Sequence, residues 1–216
     1  MSSTLTPPPE LESPPSAEVL GGLYRMTVGQ YERLVESGAL DGQPVELMSG
    51  LLVRKMGKKP PHVIAREALR DELLPLIPRG WRLAIEAPVR IPDFDEPEPD
   101  LAIVRGTREQ YQDRHPGPGE IELLIEVAET SLARDRGAKQ AAYARGGVPV
   151  YWIVNLIDGQ LEVYTGPTPT GYRDRVVLTA GAHASVPIGD LEIGRIAVSA
   201  FLPRGMPSGG RAEDGA

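Results

Sequence analysis

Apolar residues recur along this chain with two periods, and the changes of period mark out its elements. Residues 27–37 follow a helical spacing. Thr27 as N-cap with Gln30 three residues on forms a capping box, and Gly38 suits the stop. Residues 45–56 read as a hairpin turning at Ser49-Gly50. Residues 62–77 return to the helical period, with Ile64, Ala68, Leu69, Leu73 and Leu76 as the apolar stripe and Pro75 weakening the last turn. Residues 81–91 alternate as one long strand, 101–104 form a short strand, and 121–127 form a strand with acids interleaved. An Ala-rich helix over 134–145 stops at Gly146-Gly147. The β-branched and aromatic run 150–156 is predicted as a central buried strand. Residues 160–164 and 175–178 add antiparallel strands, and 191–202 close the fold with a short helix. This order gives an α/β (α+β) domain with a mixed central sheet flanked by helices.

The ends break the pattern. Residues 1–20 hold Pro7, Pro8, Pro9, Pro14 and Pro15 among serines, and residues 203–216 are Gly-rich and polar. Neither stretch has enough apolar surface to offset its ordering entropy, so both are expected to be disordered tails around a single domain over 21–202. The chain has 216 residues, 41% hydrophobic and 25% charged, which suits one globular core. It has no cysteine, which excludes disulfides, thiolate nucleophiles and cysteine zinc sites. The net charge of -7 excludes a basic coat for nucleic acid but not a local basic groove. Residues 1–15 show no basic, apolar leader, and the longest uncharged apolar run, 146–157, is well short of the roughly 20 residues of a membrane span. A cytoplasmic location is expected.

Chemistry concentrates between Pro99 and Trp152. Asp100 follows Pro99 at a strand start, near the rim of the sheet. In 121–127, a period of two puts Glu122, Leu124 and Glu126 on one face. A carboxylate at the end of so apolar a strand is costly without a cation, a partner or water. Asp135, Lys139 and Tyr143 follow at intervals of four, roughly on one helix face. Two carboxylates on neighbouring strands and an amine on the next helix suit Mg²⁺ or Mn²⁺ and the hydrolysis of a phosphodiester. The bland reading of each is a capping acid at Asp100, a solvated acid at Glu126 and a surface pair between Lys139 and Asp135. Tyr143 and Trp152 read as core, and His62 as a helix-start residue packing locally. Lys55, Lys58 and Lys59 form a dense basic cluster, either a solvated loop or a rim contacting phosphates. No phosphate-binding glycine loop and no G-x-S-x-G elbow is present.

Glu98-Pro99-Asp100, the run from Leu124 to Ser131, Asp135 to Lys139, and the run from Tyr143 to Val154 together resemble the Uma-type "putative restriction endonuclease" family of the PD-(D/E)XK nuclease superfamily. The likeness extends to Val45–Gly50 and His62 and covers about residues 24–202. It implies a restriction-endonuclease-like core and a Mg²⁺- or Mn²⁺-dependent DNA endonuclease. Asp100 and Glu126 match the metal-binding acids. Ala128 occupies the usual lysine slot, and Lys139 resembles a lysine that has migrated to the following helix. Glu46 matches an accessory acid on the early hairpin. If Lys139 is catalytic, Asp135 is either its orienter or its surface partner. DNA is the implied partner, and a homodimer would suit cutting of two strands. A second reading stays open beside this one: a non-cleaving nucleic-acid-binding or protein-interaction module of the same fold. A carboxylate-pair glycosidase ranks far below, since two Trp and two Phe supply little surface for a saccharide.

Overall fold

The computed structural model describes residues 21–203; the expected tails, 1–20 and 203–216, lie outside it apart from Pro203. Helix α1 (Val28–Glu36) carries the Thr27/Gln30 capping box, and Gly38 beyond it has φ +75°. Strands β1 (Val45–Met48) and β2 (Leu51–Arg54) form the hairpin, turned by Ser49 and Gly50 at φ +51° and +78°. The Gly50 position is specific to glycine, because an added Cβ would stand 2.7 Å from Arg25 Cβ. Helix α2 (Pro60–Leu73) ends in a 3₁₀ turn at Leu74–Leu76, where Pro75 cannot continue the ladder.

The central sheet has six strands in the order β3 (Trp81–Ile85), β4 (Leu101–Arg105), β5 (Ile121–Ala128), β6 (Val150–Asn155), β7 (Gln160–Thr168) and β8 (Gly171–Thr179). Only β5 and β6 are parallel. Their crossover holds α3 (Leu132–Arg134), a π-helical turn (Asp135–Lys139) and α4 (Gln140–Arg145). A separate hairpin of β9 (His183–Ile188) and β10 (Leu191–Ala197) leads into α5 (Val198–Phe201). One apolar layer unites Leu69, Leu73, Leu123, Ile125, Trp152 and Phe201 between the sheet, α2, α5 and the second hairpin. The other joins Leu124, Tyr143, Tyr151 and Ile153 beneath α4. Strands β5 and β6, buried along their whole length, are therefore covered on both faces.

Several expectations are corrected. The strand expected over 81–91 stops at Ile85, because Glu86 turns to φ +47°. On α2 the buried stripe is His62, Ala65, Leu69 and Leu73, while Ile64 is 57% exposed; the helix is rotated from its purely apolar reading by the burial of a histidine. The 134–145 helix is interrupted by the π turn, and strand β9 is absent from the sequence reading. Glu122 does not share a face with Glu126. A register irregularity brings Ile121 opposite Val104, and Glu122 instead accepts a hydrogen bond from Gly189 N–H, at the turn of the second hairpin.

Candidate active site

Asp100 immediately precedes β4, and its side chain is buried. The register sets Leu101 opposite Ile125, so the Asp100 carboxylate reaches the neighbouring strand beyond it. Val127 N–H donates to Asp100 Oδ2 at 2.8 Å, and His62 Nε2, from the first turn of α2, lies 3.2 Å from the same oxygen. Lys58 Nζ is 3.4 Å from Oδ1. Burial opposes ionisation of Asp100, yet the His62 hydrogen bond and charge, the Val127 amide and Lys58 hold its pKa below the ordinary aspartate value.

Glu126 projects from the middle of the sheet and is 4% exposed. Lys139 Nζ donates to its Oε1 at 2.8 Å and Tyr143 Oη donates to the same atom at 2.6 Å. Its Oε2 receives no hydrogen bond among the described residues. Burial pushes the Glu126 pKa well up, with Lys139 opposing and Asp135 and Asp100 adding to the rise. Lys139 is itself buried, which by itself would favour the neutral amine. Glu126, Glu46 and Asp135 around it outweigh that, and its pKa is raised. Asp135 accepts from Ser131 Oγ at 2.6 Å through Oδ2, while its Oδ1 is buried with no partner. Burial lifts the Asp135 pKa to about 6 against the pull of Lys139 and Ser131.

The π turn explains how Asp135, Lys139 and Tyr143 all face inward. In a regular α-helix each interval of four overshoots a full turn by about 40°, so the third side chain would drift away from the first. The wider π turn between Asp135 and Lys139 offsets that overshoot, and all three side chains are buried. Two bonds hold the turn from outside the site. Tyr151 Oη donates to the Asp135 carbonyl at 3.2 Å, and the Arg136 guanidinium clasps the fully buried Glu162 of β7. Asn155 and Tyr164 donate to Glu162 at 2.9 and 2.7 Å, and Arg175 pairs with it at 3.0 Å.

Asp100, Glu126, Lys139, Glu46 and Asp135 all line one open cleft, with Lys55, Lys58 and Lys59 on its rim. Glu46, on β1, lies 3.5 Å from Lys139 Nζ and accepts from Glu98 N–H at 3.1 Å. The rim lysines, expected as either a solvated loop or a rim contacting phosphates, are each paired with a glutamate. Lys55 pairs with Glu98 at 2.8 Å, Lys58 with Glu86 at 2.6 Å and Lys59 with Glu129 at 3.1 Å. Tyr143 and Trp152 are core residues as expected, but Tyr143 also carries a hydroxyl into the site. His62, Ser131 and Arg134 are also in the lining, and the sequence assigned no site role to Ser131 or Arg134. The signal for Ser131 was its spacing of four from Asp135, and for His62 the burial that only the packing of α2 decides.

No cluster of three or more His, Asp or Glu side chains among the described residues is arranged to hold a metal ion. Two carboxylates still fit Mg²⁺, which is commonly held by one or two carboxylates with water and substrate phosphate completing its shell. The unbonded Glu126 Oε2, beside an ionised Asp100, is the donor set such an ion would use.

Comparison with known proteins agrees with this architecture. Among curated proteins none matches. Among solved structures, a protein from Anabaena variabilis ATCC 29413 described as "a putative nuclease belonging to DUF820" superposes with a TM-score of 0.57 at 15% identity. The match covers 82% of this chain and 97% of that one. At that identity the likeness establishes the fold. The Uma2 family, described as "Putative restriction endonuclease", matches residues 28–195, which takes in the cleft, the π turn and the whole six-stranded sheet, and the chain belongs to that family.

Proposed function

We propose that the protein is a divalent-metal-dependent endonuclease that hydrolyses DNA phosphodiester bonds in the cleft between the β1–β2 hairpin and the β5–β6 crossover. The observation that carries this reading is the convergence of Asp100, Glu126 and Lys139, from three separate elements, on one open cleft. Asp100 and Glu126 would hold Mg²⁺ or Mn²⁺, with Tyr143 orienting Glu126. When bound, such an ion acidifies a water and neutralises charge on the phosphate. Lys139, bonded to Glu126 at 2.8 Å with Glu46 at 3.5 Å, acts as a donor that orients the attacking water. Asp135, with an unpartnered oxygen and a pKa near 6, and Glu46 are accessory acceptors beside it. Lys55, Lys58 and Lys59 contact the DNA backbone once the incoming phosphates draw them from their glutamates. A homodimer would present two such clefts to a duplex.

Titration calorimetry with Mn²⁺ on the wild type, Asp100→Asn and Glu126→Gln, followed by plasmid nicking with the same samples, tests this reading. Both variants should lose Mn²⁺ binding and at least 100-fold in nicking, on the order expected for removing a metal ligand. Lys139→Met should keep Mn²⁺ binding and lose nicking. Full nicking by Glu126→Gln would overturn the assignment. A wild type that binds no Mn²⁺ would favour the non-cleaving module of the same fold.

A further inference from the structure

The geometry points to Arg134 as the residue that grips the substrate phosphate beside the scissile bond. This inference rests on the nuclease reading and names the group through which that site holds its substrate.

The cleft is lined by five Lys and Arg side chains. Four are already matched to acids at ordinary ion-pair distance: Lys55 with Glu98, Lys58 with Glu86, Lys59 with Glu129 and Lys139 with Glu126. Arg134 is the exception. Its nearest carboxylate among the described residues is Glu46, whose Oε1 stands 3.8 Å from Nη1, beyond hydrogen-bond distance. Its one hydrogen bond goes from Nη1 to the Arg54 carbonyl at 3.1 Å. That bond fixes the guanidinium between the end of the first hairpin and the start of the crossover. Nε and Nη2 make no hydrogen bond to the protein among the described residues, and the side chain is 28% exposed.

A guanidinium carries five donors in a planar fork, and Arg134 uses one of them. An anchored fork with open donors matches two oxygens of a phosphate and loses little freedom in binding it. Its position sets which phosphate. Glu46, its neighbour, lies 3.5 Å from Lys139 Nζ, which in turn bonds Glu126. The guanidinium is thus one side chain away from the proposed reacting centre. The rim lysines would have to exchange a close glutamate for a phosphate, whereas Arg134 can offer Nε and Nη2 while Nη1 keeps its bond to the Arg54 carbonyl.

Binding of a fluorescein-labelled 20-base-pair duplex, followed by anisotropy in Mn²⁺ across a series of salt concentrations, tests this. The variants are Arg134→Gln, Arg134→Lys and, as a charge-matched control, Arg195→Gln. Arg195 lies on β10, exposed and paired with Glu192. Mn²⁺ affinity is measured on each by calorimetry. Arg134→Gln should weaken duplex binding roughly tenfold and lower the salt slope by about one, with Mn²⁺ affinity unchanged. Arg134→Lys should keep the slope and bind with intermediate strength, since it restores the charge without the fork. Arg195→Gln should match the wild type. Duplex affinity within twofold of the wild type in Arg134→Gln would overturn the inference while leaving the nuclease reading intact. An equal loss in Arg195→Gln would overturn it too, by showing a general charge effect. A wild type that binds no duplex in Mn²⁺ would bring down both. Binding without nicking would reject the hydrolysis and leave the Arg134 contact standing.

Discussion

Tyr143 illustrates how one atom can join a core to a site. Its ring is fully buried and meets Tyr151 edge-on at 5.0 Å, which is ordinary packing. Its hydroxyl, however, shares Glu126 Oε1 with Lys139. Such a donor fixes the orientation of a buried carboxylate and favours its ionised form. Tyr143→Phe removes the oxygen and keeps the ring, so the fold should survive at a cost of about 1 kcal/mol. Mn²⁺ affinity should fall about tenfold, read by calorimetry. An unchanged affinity would reduce the tyrosine to packing. The apolar flanks of Glu126 in the sequence already argued for a partnered acid, but nothing in the sequence distinguished a structural tyrosine from one that bonds that acid.

The π turn is the decisive element, and its anchor can be tested through pH. Glu162 has no exposed surface and would by burial resist ionising. Hydrogen bonds from Arg136, Asn155 and Tyr164 and the Arg136 charge hold its pKa at about 2, against an ordinary 4.5. A depressed folded pKa means stabilisation that is complete above the unfolded value and lost as pH falls from about 4.5 to about 2. Glu162→Gln should therefore cost on the order of 2 kcal/mol at pH 7, discounted for the partial exposure of Arg136 and Arg175. That difference should shrink as pH drops through the window, in urea melts of both proteins. Parallel stability curves down to pH 2 would rule out the ion cluster as the anchor. Helix existence over 134–145 was legible in the alanine-rich spacing. Its interruption was not, because the interruption depends on Arg136 finding Glu162 on a strand 26 residues away.

At the scale of the whole molecule, charge works against the proposed substrate. The chain carries -7, and the cleft adds buried carboxylates whose cationic neighbours are mostly spoken for. A polyanion approaching such a surface is repelled unless something offsets the local charge. Duplex binding should therefore need the divalent ion. In EDTA at 0.1 M salt the anisotropy change should vanish, and Ca²⁺ should restore binding by supplying charge. Equal affinity with and without a divalent ion would place the DNA surface elsewhere than this cleft. No helix among the described residues is long and apolar enough to cross a membrane.

The sequence by itself determined the α/β character, the capped first helix, the glycine-turned hairpin and the buried central strand. These follow from local periods, caps and turn chemistry that act within a few residues. Motif likeness and the cost of an acid in an apolar strand also nominate Asp100, Glu126 and Lys139 as candidates, and the fold brings the three to one cleft. Only the tertiary structure decided the irregularities: the end of β3 at Glu86, the displaced Glu122, the turned face of α2, the missed strand β9 and the π turn. It alone paired the rim lysines closely with glutamates and left Arg134 with only a long 3.8 Å approach to Glu46. Each of these depends on partners distant along the chain, and no local pattern of hydrophobic and polar positions encodes which distant group a side chain will meet.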